Sequence, residues 1–121
     1  ILYEKGVQFC ISDYGYAGRA EQIRNLPYQA SMAASYGLPK KAAFRAVTLS
    51  VAEILGIDEK VGSLDEGKDA TLFISDGDPL EIRTNIIQAY IQGKKIDMGD
   101  RHKSLYSKYK EKYRQLDILK E

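Results

Sequence analysis

Apolar and polar positions alternate in two different patterns along the chain, and the change between them falls at Gly56. Before it, the apolar run Val7–Ser12 predicts a short strand buried on both faces, as in a parallel sheet. Residues 13–24, with two glycines and two tyrosines, predict a loop of functional length. The segment Tyr28–Gly56 is rich in alanine and predicts helices, whereas short apolar stretches after Gly56 predict strands and turns.

Start and stop signals divide the helical part into three. Asn25 is the predicted N-cap of a first helix, and Gly37 is its predicted end. A second helix is predicted to start at Pro39, and a third to run from Thr48, as its N-cap, to Gly56. The small and branched residues between these signals predict closely packed helices.

The part after Gly56 has the features of a small sheet followed by a helix. Residues 70–75, "ATLFIS", predict a strand, and the cluster Asp76-Gly77-Asp78-Pro79 predicts a turn after it. The segment Ile86–Ile91 and a short return strand predict a hairpin with its turn at Gln92-Gly93. Residues 101–116 predict a helix. The first residues, "ILYEKG", predict the last turn of a helix that ends at Gly6, so we expect the chain to be a piece of a longer polypeptide.

The stretch from Gly62 to Lys68 has the spacing G-x-x-x-x-G-K of a phosphate-binding loop. Such a loop follows a strand, opens a helix and continues with Ser or Thr. Here a predicted helix precedes the stretch and a predicted strand follows it, and the residue after Lys68 is Asp69. Asp65 and Glu66 add two more carboxylates that would repel phosphates. The context therefore favours a structural turn over a nucleotide site.

Charge gives no reason to expect nucleic acid or an acidic membrane as partner, since 18 basic and 17 acidic residues nearly balance. The last helix mixes lysines with tyrosines, which also occurs in single-strand RNA binders. Its apolar residues recur at helical spacing, however, and favour a helix that docks one stripe while its lysines face water: Leu105, Tyr109, Tyr113 and Leu116. His102 is the single histidine and Cys10 the single cysteine; neither suggests a metal site.

Taken together, "KAAFRAVTLSVAEILGIDEKVGSLDEGKDATLFISDGDPL" and "IIQAYIQGKKI" resemble the C-terminal end of the metal-dependent amidohydrolase superfamily. Within it the sequence is most similar to the imidazolonepropionase-like and Xaa-Pro-dipeptidase-like branch. The resemblance extends from Gly6 to Lys112. In such proteins the glycine–lysine segment is a structural turn between the catalytic barrel and a small β-sandwich.

The resemblance implies an α/β fold: the C-terminal portion of a (β/α)₈ barrel, part of the adjoining β-sandwich, and a C-terminal helix. A complete barrel has about 250 residues or more, so this chain would be roughly the last quarter of such a protein. Residues 1–56 would be the end of the barrel, with Val7–Ser12 as its eighth strand. Residues 57–100 would be sandwich strands and 101–121 the C-terminal helix.

The resemblance also implies one functional residue, Asp13, directly after the eighth strand. Family members bind one or two divalent metals, usually zinc, through histidines and a carboxylated lysine or glutamate of earlier strands and an aspartate after the eighth. Asp13 would be this metal ligand and would also be catalytic, accepting a proton from the water that attacks an amide carbonyl. From the residues alone, an Asx turn at the start of a loop is the other interpretation of Asp13.

Two function classes stay open. In the first, the chain is the C-terminal part of a metal-dependent hydrolase of carbon–nitrogen bonds, acting on an amide, a cyclic amide or a prolyl dipeptide and inactive by itself. In the second, it is a non-catalytic folding or interaction module derived from an amidohydrolase. We expect a small-molecule substrate and a divalent metal in the complete protein, no metal in this chain alone, no nucleic-acid or membrane partner, and a homo-oligomer.

Overall fold

The structure, a computed structural model, describes residues 1–13, 20–116 and 118, without the side chains of residues 20–22. Of the predicted loop 13–24, residues 14–19 lie outside the described part, and residues 20–24 belong to a 3₁₀ helix, Ala20–Asn25, that leads into the first α-helix. The elements that follow are α1 (Leu26–Ser35), α2 (Lys40–Ala46), α3 (Leu49–Leu55), β1 (Leu72–Ser75), β2 (Ile86–Ile91), β3 (Lys94–Ile96) and α4 (Arg101–Gln115). In this described part, no helix is long and apolar enough to cross a membrane.

The three predicted helices between residues 25 and 56 are confirmed, and Asn25 and Thr48 occupy the predicted N-cap positions, although their side chains do not cap the helices. The Asn25 side chain makes no capping hydrogen bond. The Thr48 hydroxyl instead donates to the Phe44 carbonyl oxygen of the preceding helix, at 2.8 Å. The predicted end of α3 is confirmed as well. Gly56 follows this helix with a φ of 68°, the left-handed conformation that glycine adopts at low cost.

Small side chains make the core of the helical part. Ala30 and Ala43 are fully buried and pack with Leu80, which lies in the turn after β1. Alanines at these positions let α1 and α2 approach closely. Four partly buried side chains pack around this cluster: Ile11, Ala34, Leu38 and Val47. The core therefore joins the segment before α1, the helices and the turn that follows the first strand.

The prediction of a strand at Val7–Ser12 is wrong for this structure, because these residues form an irregular segment. A strand is stabilised by a ladder to a neighbouring strand, and the sheet of the described residues contains β1, β2 and β3 alone. The segment's backbone bonds go instead to non-strand residues: the Ile11 N–H donates to the Ala46 carbonyl oxygen at 2.9 Å, and the Val7 N–H donates back to the preceding turn. The fold class is accordingly shown here as mixed helices with a small antiparallel sheet.

The first residues form a turn that ends as predicted at Gly6, which has a φ of 66°. The Val7 N–H donates to the Leu2 carbonyl oxygen at 3.1 Å, and the Gly6 N–H donates to the Tyr3 carbonyl oxygen at 3.0 Å. Bonds of this kind close the last turn of a helix around a left-handed residue.

The sheet is antiparallel in the order β1-β2-β3, which confirms the predicted hairpin. Leu72 pairs with Tyr90, and Ile91 pairs with Lys94. Two residues, Gln92 and Gly93, connect β2 and β3 with φ values of 50° and 75°. Positive φ at both positions is the geometry of a tight turn whose twist matches that of the strands it joins.

Helix α4 begins at its predicted place, after Asp100, whose carboxylate accepts from the Lys103 N–H at 2.9 Å. This bond holds the pKa of Asp100 below its ordinary value. The predicted apolar stripe is present, with Leu105, Tyr109 and Tyr113 each between 38% and 48% exposed. Among the described residues, however, α4 packs against no other helix or strand, so the predicted docking of the stripe is not seen.

Candidate metal-ligating site

Asp13 directly follows the irregular segment Val7–Ser12. Its side chain is half-buried. The amide group of Gln29, on α1, donates from Nε2 to the Asp13 Oδ1 at 3.3 Å. The structure thus places the one predicted site residue in contact with a polar side chain that lies 16 positions away in sequence.

The meeting of Asp13 and Gln29 follows from the packing of their neighbours. Ile11, two residues before Asp13, packs against the core cluster, and Ala30, next to Gln29, is part of that cluster. Both side chains are therefore carried by backbone that the core holds in place. No periodicity or motif in the sequence indicates Gln29, because the contact depends on how α1 packs beside residues 7–13.

Asp13 fits a metal as one ligand and no more. A catalytic zinc site uses three protein ligands, and within the described residues no three His, Cys, Asp or Glu side chains come close enough to hold a metal. Among the described residues, Gln29 donates to the Asp13 Oδ1, and no donor contacts the Asp13 Oδ2. The carboxylate can thus offer one oxygen to a cation whose other ligands lie elsewhere.

The glycine–lysine segment is a self-contained turn between α3 and β1. Lys68, whose side chain is only 16% exposed, donates from Nζ to the Ser63 Oγ at 2.5 Å and pairs with the Asp65 carboxylate at 3.3 Å. The Ser63 hydroxyl donates to the same carboxylate, and these contacts lower the pKa of Asp65. The lysine is thus directed at its own loop, in agreement with the structural turn predicted from its context.

Two salt bridges from one lysine connect the turn after β1 to helix α2. Lys40, at the start of α2, reaches the Glu81 carboxylate at 2.9 Å and the Asp78 carboxylate at 3.1 Å. The hydrogen bond to Glu81, followed by that to Asp78, raises the pKa of Lys40. The Leu80 N–H donates to the Asp78 carboxylate at 2.9 Å. This bond is the main cause that lowers the pKa of Asp78, and the contact with Lys40 lowers it further. These bonds hold Leu80 where it enters the core.

A cleft of about 940 Å³ lies between the helices α2 and α3 and strand β1. Its walls include the exposed apolar side chains of Phe44, Leu64 and Phe73. Asp13 is not among the residues that line it. The cleft is consequently an apolar surface apart from the candidate ligand, and its size alone gives it no catalytic role.

Comparison with known proteins identifies the family. Residues 4–99 match the Amidohydrolase family. Amidohydrolase tasK of Hapsidospora irregularis is 35% identical over 94 residues, which are 77% of this chain and 9% of that protein. The crystal structure of an amidohydrolase from Thermotoga maritima MSB8 superposes with a TM-score of 0.70 at 27% identity, over 79% of this chain and 24% of that one.

The helical core and small antiparallel sheet are thus similar to part of an amidohydrolase structure. This chain belongs to the amidohydrolase family. The expected superfamily is confirmed, and members of this family are generally metal-dependent. The chain spans about a tenth of the length of the curated relative and a quarter of the similar structure. Helix α4 lies beyond the matched residues 4–99.

Proposed function

We propose that this chain is the C-terminal part of a metal-dependent hydrolase that cleaves carbon–nitrogen bonds in amides, cyclic amides or prolyl dipeptides. The branch we favour is the imidazolonepropionase-like and Xaa-Pro-dipeptidase-like one, with zinc as the metal. Membership of the amidohydrolase family supports the hydrolase class. The single observation that carries the site is Asp13, a half-buried carboxylate directly after the segment that the resemblance assigns to the last barrel strand.

The chain would then have three parts. Residues 1–56 would complete the catalytic barrel, residues 57–100 would contribute to the β-sandwich, and residues 101–121 would be the C-terminal part, in which the described residues Arg101–Gln115 are helical. The change from helices to an antiparallel sheet between Leu55 and Leu72 supports the first boundary. In a complete barrel, Val7–Ser12 would gain the neighbouring strands that a ladder requires.

In the complete protein, Asp13 would have two roles. One oxygen of its carboxylate would bind the divalent metal, and the carboxylate would accept a proton from the water that attacks the amide carbonyl carbon. The metal, when bound, supplies Lewis acidity that polarises the carbonyl and favours loss of that proton. Since one carboxylate is a single ligand, the 121-residue chain alone is expected to hold zinc weakly and to hydrolyse nothing.

The substitution Asp13→Asn tests this proposal in the complete protein. Asparagine keeps the size of the side chain but cannot accept the proton, so we expect the rate to fall on the order of 10²–10⁴-fold. Hydrolysis is measured against N-acyl amino acids, cyclic amides and prolyl dipeptides, with metal content determined in parallel. Asp97→Asn makes the same change in the exposed turn before α4 and serves as the control. Hydrolysis by Asp13→Asn at the wild-type rate would exclude Asp13 from the reaction.

The alternative is a non-catalytic interaction module derived from an amidohydrolase. Helix α4 favours it, because this helix lies outside the family match and its tyrosine stripe contacts no other element of the described residues. Zinc binding and hydrolysis by the complete protein distinguish the two functions. A complete protein that binds no zinc and hydrolyses none of the three substrate classes would support the module and contradict the hydrolase.

A further inference from the structure

We propose that Gln29 is a positioning residue for the Asp13 carboxylate. The inference rests on the proposed metal-binding role of Asp13. Its basis is the partly buried hydrogen bond from the Gln29 Nε2 to the Asp13 Oδ1 at 3.3 Å. Gln29 does not itself contact the metal or the substrate; it acts through the orientation of the carboxylate.

The chemistry of an amide donor suits this task. An aspartate carboxylate can turn about its last side-chain bond, over which its rotamer preference is broad. A hydrogen bond to Oδ1 limits that rotation, so that Oδ2 would be offered to a cation in one orientation. A lysine or arginine at this position would also hold Oδ1, but its positive charge would repel the metal and compete for the carboxylate. A neutral donor orients the ligand without that competition.

The packing gives the donor a fixed base. Gln29 directly precedes Ala30, which is fully buried, and Asp13 follows Ile11, which packs on the same core cluster. The Ile11 N–H is in addition bonded to the Ala46 carbonyl oxygen at the end of α2. The separation between the two side chains is thus set by the core, so the bond can form before a metal binds. Such partners of metal ligands contribute on the order of 10–100-fold in affinity or activity.

The experiment measures Zn²⁺ affinity of the metal-free complete protein by competition with a chromophoric chelator. Gln29→Met keeps the length of the side chain and removes the donor, so we expect Zn²⁺ to bind roughly 10–100-fold more weakly. Gln115→Met is the matched control, because it removes an exposed amide on α4 that donates to the Glu111 carboxylate at 3.0 Å, outside the residues that match the family. The control is expected to leave the affinity unchanged. Equal affinity of Gln29→Met and Gln115→Met would overturn the inference.

A double-mutant cycle with Asp13→Asn separates positioning from general damage. If Gln29 acts through Asp13, Gln29→Met should weaken Zn²⁺ binding in the wild type and have little further effect in Asp13→Asn. Equal losses in both backgrounds would contradict the inference. Melting of the metal-free variants reports on folding. If Gln29→Met unfolds, Gln29→Asn takes its place, because it keeps a polar amide but is one methylene too short to reach Asp13.

The same data distinguish this inference from the proposed function. If Asp13→Asn binds Zn²⁺ and hydrolyses substrate as the wild type does, the role of Asp13 fails and the positioning role fails with it. If Asp13→Asn loses both properties while Gln29→Met keeps both, only the positioning role is wrong. Loss in both variants, coupled in the cycle, is the result we expect.

Discussion

The turn that carries the glycine–lysine pattern makes a sharp prediction at Gly62, because a side chain there would meet α3. Gly62 has a φ of 98°, and a Cβ added to it would lie 2.8 Å from the Ala52 Cβ and 3.0 Å from the Leu49 Cα. Ala52 is buried and the Leu49 atom is backbone, so neither can move aside without shifting the helix. The substitution Gly62→Ala therefore adds a steric conflict to an unfavourable backbone conformation.

The expected loss in the free energy of unfolding of Gly62→Ala has two components. A positive φ costs a residue with a Cβ roughly 1–2 kcal/mol relative to glycine, and an extra methyl in a packed site costs about 1–3 kcal/mol. We expect Gly62→Ala to lower the free energy of unfolding by about 2–5 kcal/mol, the sum of the two. Gly37→Ala is the matched control, since Gly37 has a φ of 101° but no atom within 4 Å of the added Cβ. It should lose only the backbone component.

Urea unfolding of the wild type and both variants, followed by circular dichroism, measures these differences at 25 °C. Gly62→Ala should be less stable than Gly37→Ala by about 1–3 kcal/mol, the steric component alone. Equal destabilisation would show that α3 does not approach Gly62 closely. ATP should not raise the midpoint of any of the three proteins; a rise that depends on Gly62 would restore the nucleotide interpretation of this turn.

Two further predictions concern the bonds and the surfaces of the chain. The pKa of Asp78 is lowered in the folded state, so its contribution to stability is complete above its unfolded value of 3.8 and is lost as the pH falls below that value. Thermal melts between pH 5 and pH 2 should therefore fall less steeply for Asp78→Asn than for the wild type, and parallel curves would contradict the linkage. The open edges of the three-stranded sheet and the apolar cleft beside β1 lead us to propose that the 121-residue chain self-associates into a dimer or larger oligomer. A monodisperse monomer in sedimentation at micromolar concentration would be evidence against this.

Elements that depend on neighbours close in sequence could be predicted well. The turn at Gln92-Gly93, the end of α3 at Gly56 and the start of α4 after Asp100 were all placed from local signals. Each is decided within about one helical turn or one hairpin loop, where backbone conformation and the nearest donors suffice. The order of these elements also supported the family, which the comparison confirms.

Contacts between distant parts of the chain were decided by the tertiary structure alone. Val7–Ser12 has the composition of a strand, but a ladder needs a partner strand, and the described residues place the Ala46 carbonyl beside it instead. The bonds from Lys40 span 38 and 41 residues, and the bond between Gln29 and Asp13 spans 16. Such pairs leave no periodic trace in sequence, because they form only where a shared core brings two otherwise independent segments together. The sequence by itself thus determined most of the local elements and, through the family resemblance, suggested Asp13 as a candidate ligand, whereas the packing of α1 near the residues before it decided that Gln29 contacts Asp13.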